Sequence, residues 1–244
     1  MIRALFVTFV ACVYLLVLGI PLVIYSALTG RTDKLYRVGV WGCKSILWLA
    51  GVRLDVRGRE KIPAGHAVVF MSNHQGNCDP PAVITILPPV VVMAKKEFFR
   101  VPILGRAMNI RRFIPVDRKN REHAFEAIEE GIEALRAGYS FMVFPEGTRS
   151  RDGRLLPFKK GVFVMAIKAQ APIVPISVSG SSKIMTKGKF AIRPGVVRIT
   201  VHDEIPTVGW ALEDREQAIE RVRQAILGGL ATEELPLATT TATV

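Results

Sequence analysis

Cysteine is scarce in this chain of 244 residues, which holds only Cys12, Cys43 and Cys78. The three are widely scattered, form no C-x-x-C pair and have no histidine cluster beside them, so no structural zinc site is expected and the thiols should be reduced. Acidic residues are also few, 21 against 33 lysines and arginines, for a formal net charge of +12. That excess attracts phosphate, nucleic acid or an anionic membrane surface, and charge alone does not choose among them. Several chemistry-bearing motifs are missing too. There is no G-x-S-x-G elbow, no H-E-x-x-H, no complete Walker A loop and no G-x-G-x-x-G after a strand. Hydrolase, zinc-protease, nucleoside-triphosphatase and dinucleotide-binding readings therefore lose their usual support. What the chain has in quantity is apolar material: half of its residues are hydrophobic and 22% are charged, which excludes a disordered or collagen-like protein.

The apolar residues are concentrated at the N-terminus, where no charge interrupts Ala4 to Gly30. A helix of about 25 residues is about 37 Å long, more than the roughly 30 Å hydrocarbon core of a bilayer. A cleaved signal peptide has an apolar stretch of about 7 to 15 residues and a small-residue cleavage site. This run is longer and lacks such a site, so a retained membrane segment is expected. Pro21 lies inside the run and is predicted to kink or break it, which leaves both a full span and a bent re-entrant hairpin open. A second apolar stretch, Val38 to Val52, is interrupted by Lys44 and carries Trp41 and Trp48. It suits the membrane interface better than a purely internal helix. Arg31, Lys34, Arg37 and Lys44 outnumber the single Arg3 ahead of the run, which places the downstream chain on the cytoplasmic side.

From about residue 52 the pattern changes to short β-branched runs alternating with helical segments. Strands are predicted at Val52–Val56, Ala67–Met71, Val90–Met93, Phe113–Val116, Ser140–Phe144, Ile173–Val178 and Val196–Val201. Several are apolar throughout, as in a sheet covered on both faces. Phe125, Ile128, Ile132 and Leu135 recur at helical spacing, as do Ile219, Val222, Ile226 and Leu230. The expected architecture is α/β, a mixed and largely parallel sheet flanked by helices. The chain divides into N-terminal membrane-anchoring helices (1–51), an α/β domain (52–231) and a flexible tail (232–244) rich in threonine and alanine.

Two loops stand out because each follows an apolar strand and turns abruptly polar, at the sheet edge where open α/β folds bind ligands. The first is Ser72-Asn73-His74-Gln75-Gly76-Asn77-Cys78-Asp79-Pro80-Pro81. His74 and Asp79 are five apart, so only a loop that folds back brings them together. If it does, Asp79 accepts a hydrogen bond from one imidazole nitrogen and leaves the other as a general base. Asp79 ahead of two prolines also suits a helix N-cap. The second loop, Phe144-Pro145-Glu146-Gly147-Thr148-Arg149-Ser150, delivers a carboxylate, a flexible glycine and a guanidinium. Between them, residues 93–121 carry nine basic side chains against only Glu97 and Asp117. Most read as a solvated surface, but Lys95 and Arg118 each close an apolar strand, and a guanidinium binds phosphate in a bidentate manner.

These segments resemble the glycerolipid acyltransferases. His74 and Asp79 resemble the family's H-x4-D motif in its Asn-His-Gln setting, and Phe144 to Ser150 is similar to its F-P-E-G-T-R-S motif letter for letter. Phe113-Ile114-Pro115-Val116-Asp117-Arg118 and Val174-Pro175-Ile176 resemble two further motifs, in order, over residues 50–205. The resemblance implies a glycerol-3-phosphate acyltransferase-like fold with a membrane-embedded N-terminal two-helix segment, anchored as in bacterial relatives, with the inner membrane as the expected location. It implies transfer of a fatty acyl group from acyl carrier protein or coenzyme A thioester to lysophosphatidate, with no bound cofactor or metal. His74 would be the base, Asp79 its orienting group and Lys95 an oxyanion stabiliser, helped by backbone amides near Gly147. Arg118 and Arg149 would bind the phosphate, and Glu146 would touch the glycerol, with Gly147 and Thr148 completing the substrate site. Two positions depart from the pattern: Gly76 stands where serine is common, and Ile110-Arg111-Arg112 replaces a frequent glycine. They bear on the acceptor headgroup, so a lyso-ornithine lipid or lysophospholipid acyltransferase is the near alternative. A lipid hydrolase using the same pair is a different-class alternative, and a nucleic-acid module lacks any binding motif.

Overall fold

The computed structural model describes residues 1–117, 120–185 and 191–237. All seven expected strands form: β1 (Val52–Arg57), β2 (Val69–Ser72), β3 (Val91–Lys95), β4 (Ile114–Val116), β5 (Phe141–Val143), β6 (Ile173–Ser179) and β7 (Gly195–Val201). They make one sheet in the order β1-β7-β6-β2-β5-β3-β4. Strands β6, β2, β5, β3 and β4 run parallel; β7 is antiparallel to β6 and carries β1 parallel to itself. In β2 every residue is buried, because successive side chains enter different cores. Phe70 packs on one face with Val83, Val174 and Leu47, while Val69 and Met71 pack on the other with Phe163 and Ile226.

Strands β2 and β5 are neighbours, yet their onward connections leave for opposite faces. The chain after β2 enters α4 (Asp79–Ile84), whose Ala82 and Val83 join the first core, and the chain after β5 reaches α7 (Gly161–Ala169), whose Phe163 and Met165 join the second. Such a divergence opens a crevice at the carboxyl edge, and both polar loops lie there. The second face is completed by α6 (Arg121–Arg136) and α9 (Arg215–Gly228); the short helices α5 (Leu104–Ile110) and α8 (Ser181–Ile184) precede β4 and β7 in the chain. Ile132 and Leu135 of α6 are buried as the helical spacing requires, but Phe125 is 60% exposed. It lies on the rim of a cavity rather than in the core.

The N-terminal run is one helix from Ile2 to Thr29, made of α1 (Ile2–Tyr14), a π-helical turn Leu15–Gly19 and α2 (Ile20–Thr29). Pro21 does not break it. A proline removes one backbone donor, and the π turn just ahead relocates the local hydrogen bonding, with the Ile20 N–H reaching back to the Leu15 carbonyl. Gly30, at φ 69°, ends the helix in the left-handed conformation. α3 (Asp33–Leu49) folds back along α1, where the absence of a side chain at Gly42 admits the Tyr14 ring and the Tyr14 hydroxyl donates to the Val38 carbonyl at 2.6 Å. Arg111 secures the pair from the domain side, donating to Thr32 Oγ1 at 2.6 Å and lying over the Tyr36 ring.

Residues 232–237 of the expected tail lie within the described residues. Residues 232–234 form a short 3-10 turn, and Glu234 is buried, accepting from the Gly180 N–H at 2.7 Å while its carbonyl accepts from the Leu155 N–H at 3.0 Å. Its carboxylate docks this segment on the domain, and positions 238–244 fall outside the described residues.

Candidate active site

The first polar loop folds back as its chemistry requires. His74 Nδ1 lies 2.8 Å from Asp79 Oδ2. That oxygen also accepts the backbone N–H groups of Gln75, at 2.6 Å, and of Gly76, at 2.7 Å. An oxygen receiving two amide protons is an acceptor toward the imidazole as well, so Nδ1 carries a proton and donates it, and Nε2 is the nitrogen not engaged by Asp79. Asp79 is fully buried and His74 is 9% exposed. Asp79 opens α4 with Pro80 and Pro81 behind it, while Cys78 occupies the cap position and its side chain caps no helix amide. The carboxylate therefore caps the loop amides and not the helix, and the expected N-cap role moves by one residue.

The loop is fixed from three further directions. Asn73 donates its side-chain amide to the Val178 carbonyl at 2.8 Å and accepts from the Val178 N–H at 2.7 Å, extending the β2–β6 pairing by side chain. The ring of Phe144 stacks on His74 with centroids 4.2 Å apart. Glu146 Oε1 accepts the His74 N–H at 2.6 Å, and the His74 carbonyl accepts from Ser150 N–H at 2.9 Å. Asn73, Phe144 and Ser150 were not singled out by sequence reasoning, although all three lie inside the two quoted loops.

The other expected site residues divide into three groups. Glu146 is buried, and its second oxygen accepts the Leu156 N–H at 3.0 Å. Both oxygens thus hold the polypeptide, and the residue expected against glycerol faces the His74 loop. Burial pushes its carboxyl up to about 8, against the pull of the two amide donors. Gly147 sits at φ 66° and its N–H closes a turn onto the Phe144 carbonyl at 3.0 Å, so this amide is committed within the loop. Thr148 is exposed and Arg149 half-buried on the same loop. Lys95 ends β3 and pairs with Glu97 at 3.0 Å. β5 stands between β3 and β2, so their backbones are about 10 Å apart. Arg118 lies outside the described residues.

Fold and site together define an α/β enzyme with a buried histidine–aspartate pair at the carboxyl edge of its sheet and an apolar N-terminal helix. The chain belongs to the acyltransferase family, whose profile matches residues 53–179, from β1 to the end of β6. The 1-acyl-sn-glycerol-3-phosphate acyltransferase of Limnanthes douglasii is 31% identical over 197 residues, covering 80% of this chain and 69% of its own. The 1-acyl-sn-glycerol-3-phosphate acyltransferase alpha of Homo sapiens is 33% identical over 216 residues, covering 88% and 75%. The crystal structure of the 1-acyl-sn-glycerophosphate (LPA) acyltransferase PlsC from Thermotoga maritima is similar with a TM-score of 0.76 at 27% identity, over 91% of this chain and 94% of that one.

Proposed function

We propose that this acyltransferase moves a fatty acyl group from an acyl thioester to the sn-2 hydroxyl of 1-acyl-sn-glycerol-3-phosphate, giving phosphatidate and a free thiol. The observation that carries the reading is the 2.8 Å contact between His74 Nδ1 and an Asp79 oxygen that also accepts two backbone amides. Nε2 of His74 removes the proton of the acceptor hydroxyl as its oxygen attacks the thioester carbonyl carbon. The tetrahedral intermediate collapses by breaking the carbon–sulfur bond, and the imidazolium returns its proton to the departing thiolate. Asp79 stabilises the transient imidazolium and keeps the ring oriented. No acyl-enzyme is formed.

Glu146 acts through His74 as a positioning residue. Arg149 and Arg118 bind the acceptor phosphate, with Gly147 and Thr148 shaping the loop beside it, and Lys95 is assigned to the oxyanion. The donor is acyl carrier protein or coenzyme A thioester, since both present the same phosphopantetheine thioester. The N-terminal helix holds the domain on the cytoplasmic face of the membrane, so that acceptor and product stay in the bilayer. The test is to supply purified protein in liposomes with lysophosphatidate and each thioester in turn, following lipids by mass spectrometry. Phosphatidate from the wild type and none from His74→Ala is the expected result. Product from another lysolipid alone would keep the mechanism and change the acceptor, and free fatty acid without acceptor would replace transfer by hydrolysis.

A further inference from the structure

The 3-10 turn Thr232–Glu234, just after α9, reaches the site from behind. Glu233 points outward and pairs with Lys183 of α8 at 2.9 Å, an exposed contact of the kind that contributes little. Its neighbour Glu234 is 2% exposed. A carboxylate is costly to bury unless its oxygens are hydrogen-bonded, and an aliphatic side chain would anchor a turn without that cost. Here both oxygens are engaged: Oε1 accepts the Gly180 N–H at 2.7 Å and Oε2 the Ala231 N–H at 3.1 Å.

Two arms lead from this residue to the histidine–aspartate pair. On the first, the Glu234 carbonyl accepts from the Leu155 N–H at 3.0 Å, and the next amide, Leu156 N–H, donates to Glu146 Oε2 at 3.0 Å. Glu146 holds the His74 N–H on its other oxygen. On the second, Gly180 turns the chain from β6 into α8 at φ 88°. The Met185 carbonyl, just past α8, accepts the Asn77 N–H at 3.2 Å. Ser181 lies so close to Gly76 that a Cβ there would come within 2.7 Å of the Ser181 carbonyl oxygen. Gly76 in turn supplies one of the amides on Asp79 Oδ2. The start of α8 therefore packs where a serine at position 76 would put its side chain, which accounts for the glycine found there.

We infer that Glu234 is a positioning residue for the reaction. Its carbonyl braces the segment that completes the Glu146 clamp on His74, and its carboxylate braces the turn that backs the Asp79 loop. The inference rests on the acyl-transfer reading above, since what is positioned is the base of that reaction. Removing the side chain frees the Gly180 amide and lets the 3-10 turn shift, taking the Leu155 contact with it.

Three variants test this, each read by steady-state kinetics and by hydrogen exchange with mass spectrometry. Glu234→Ala removes the brace, Glu234→Asp withdraws its oxygens by one methylene, and Glu234→Gln keeps an acceptor for the Gly180 amide. Glu233→Ala is the control, because it breaks only the exposed pair. Glu234→Ala should lower kcat by about 10- to 100-fold, the scale of a small displacement of a catalytic group, with KM for both substrates little changed. Glu234→Asp should fall between it and the wild type, while Glu234→Gln and Glu233→Ala stay close to the wild type. In Glu234→Ala, exchange should quicken at the amides of residues 74–78 and 155–156 and stay unchanged in β3 and β4, at one edge of the sheet. Wild-type kcat in Glu234→Ala overturns the inference. So does exchange that quickens equally over the whole sheet, the mark of a residue that only stabilises the fold. If Glu234→Ala does not fold, Glu234→Asp decides by the same two readings. A wild type that forms no phosphatidate, with exchange still quickening locally in Glu234→Ala, overturns the reaction and upholds the brace.

Discussion

The peptide N–H of His74 donates to Oε1 of Glu146 at 2.6 Å, joining two loops 72 residues apart. The second carboxylate oxygen holds Leu156, so this side chain is a clamp with the histidine on one jaw. Glutamine keeps the shape but turns one acceptor into a donor facing an N–H. Glu146→Gln is expected to cost about 1–3 kcal/mol of stability through an unpaired buried amide and to lower kcat by about 10²-fold through displacement of the base. Denaturant unfolding beside steady-state kinetics checks both, and a variant with wild-type kcat would separate the clamp from catalysis.

The same carboxyl predicts a pH dependence of stability. Burial holds it at about 8, above its ordinary value of 4.5, so the folded protein binds this proton more tightly than the unfolded chain. The contribution is fully present below the unfolded value and is lost as pH rises through about 8. Melting temperatures in detergent should therefore fall for the wild type relative to Glu146→Gln as pH is raised across that range. A difference that stays flat with pH would remove the linkage from this site.

Asp79 permits a separation of charge from geometry. Its Oδ2 takes all three hydrogen bonds and its Oδ1 is buried without a partner. Asparagine can place its carbonyl oxygen on the three donors and its amide nitrogen where Oδ1 stands. Asp79→Asn is expected to fold and to lower kcat by about 10²–10⁴-fold, the span of general-base contributions, because the imidazolium loses its counter-charge. Asp79→Ala would in addition strand the Gln75 and Gly76 amides, at about 1–3 kcal/mol each. Circular dichroism and single-turnover rates distinguish the two, and an Asp79→Asn enzyme with normal kcat would deny the carboxylate an electrostatic role.

The strands were legible because they are short β-branched runs, several of them apolar throughout, as a sheet covered on both faces allows. The dyad was legible because two polar loops follow such runs. What the residues could not disclose was partnership across the chain. Nothing local to Glu146 says that its oxygens face His74 and Leu156 rather than a ligand; that follows from β2 and β5 being adjacent, with onward chains leaving for opposite faces. That the helix continues through Pro21 was not legible, because a π turn ahead of a proline has no sequence signature as strong as the proline itself.

The N-terminal helices carry the last prediction. Along α1, the π turn and α2 the side chains of Leu5, Phe6, Phe9, Leu16, Val17 and Ile24 are all exposed, an apolar surface beyond what a soluble monomer shows. The helix of 28 residues is about 42 Å long, enough to enter or cross a bilayer core of about 30 Å. On α3, Arg37, Trp41, Lys44 and Trp48 are exposed at spacings of four, three and four, which puts them on one helical face. Tryptophans alternating with cations match the headgroup layer, where indole and ammonium groups are both favoured. Mixing the protein with anionic vesicles containing lipids brominated near the headgroups should therefore quench Trp41 and Trp48 far more than Trp210, which packs beneath Arg221 on the α/β domain. Replacing Trp41 and Trp48 together by phenylalanine should remove most of that quenching. Equal quenching of all three indoles, or none, would mean that this face of α3 meets water, and the interface would then have to be sought along α1 and α2 alone.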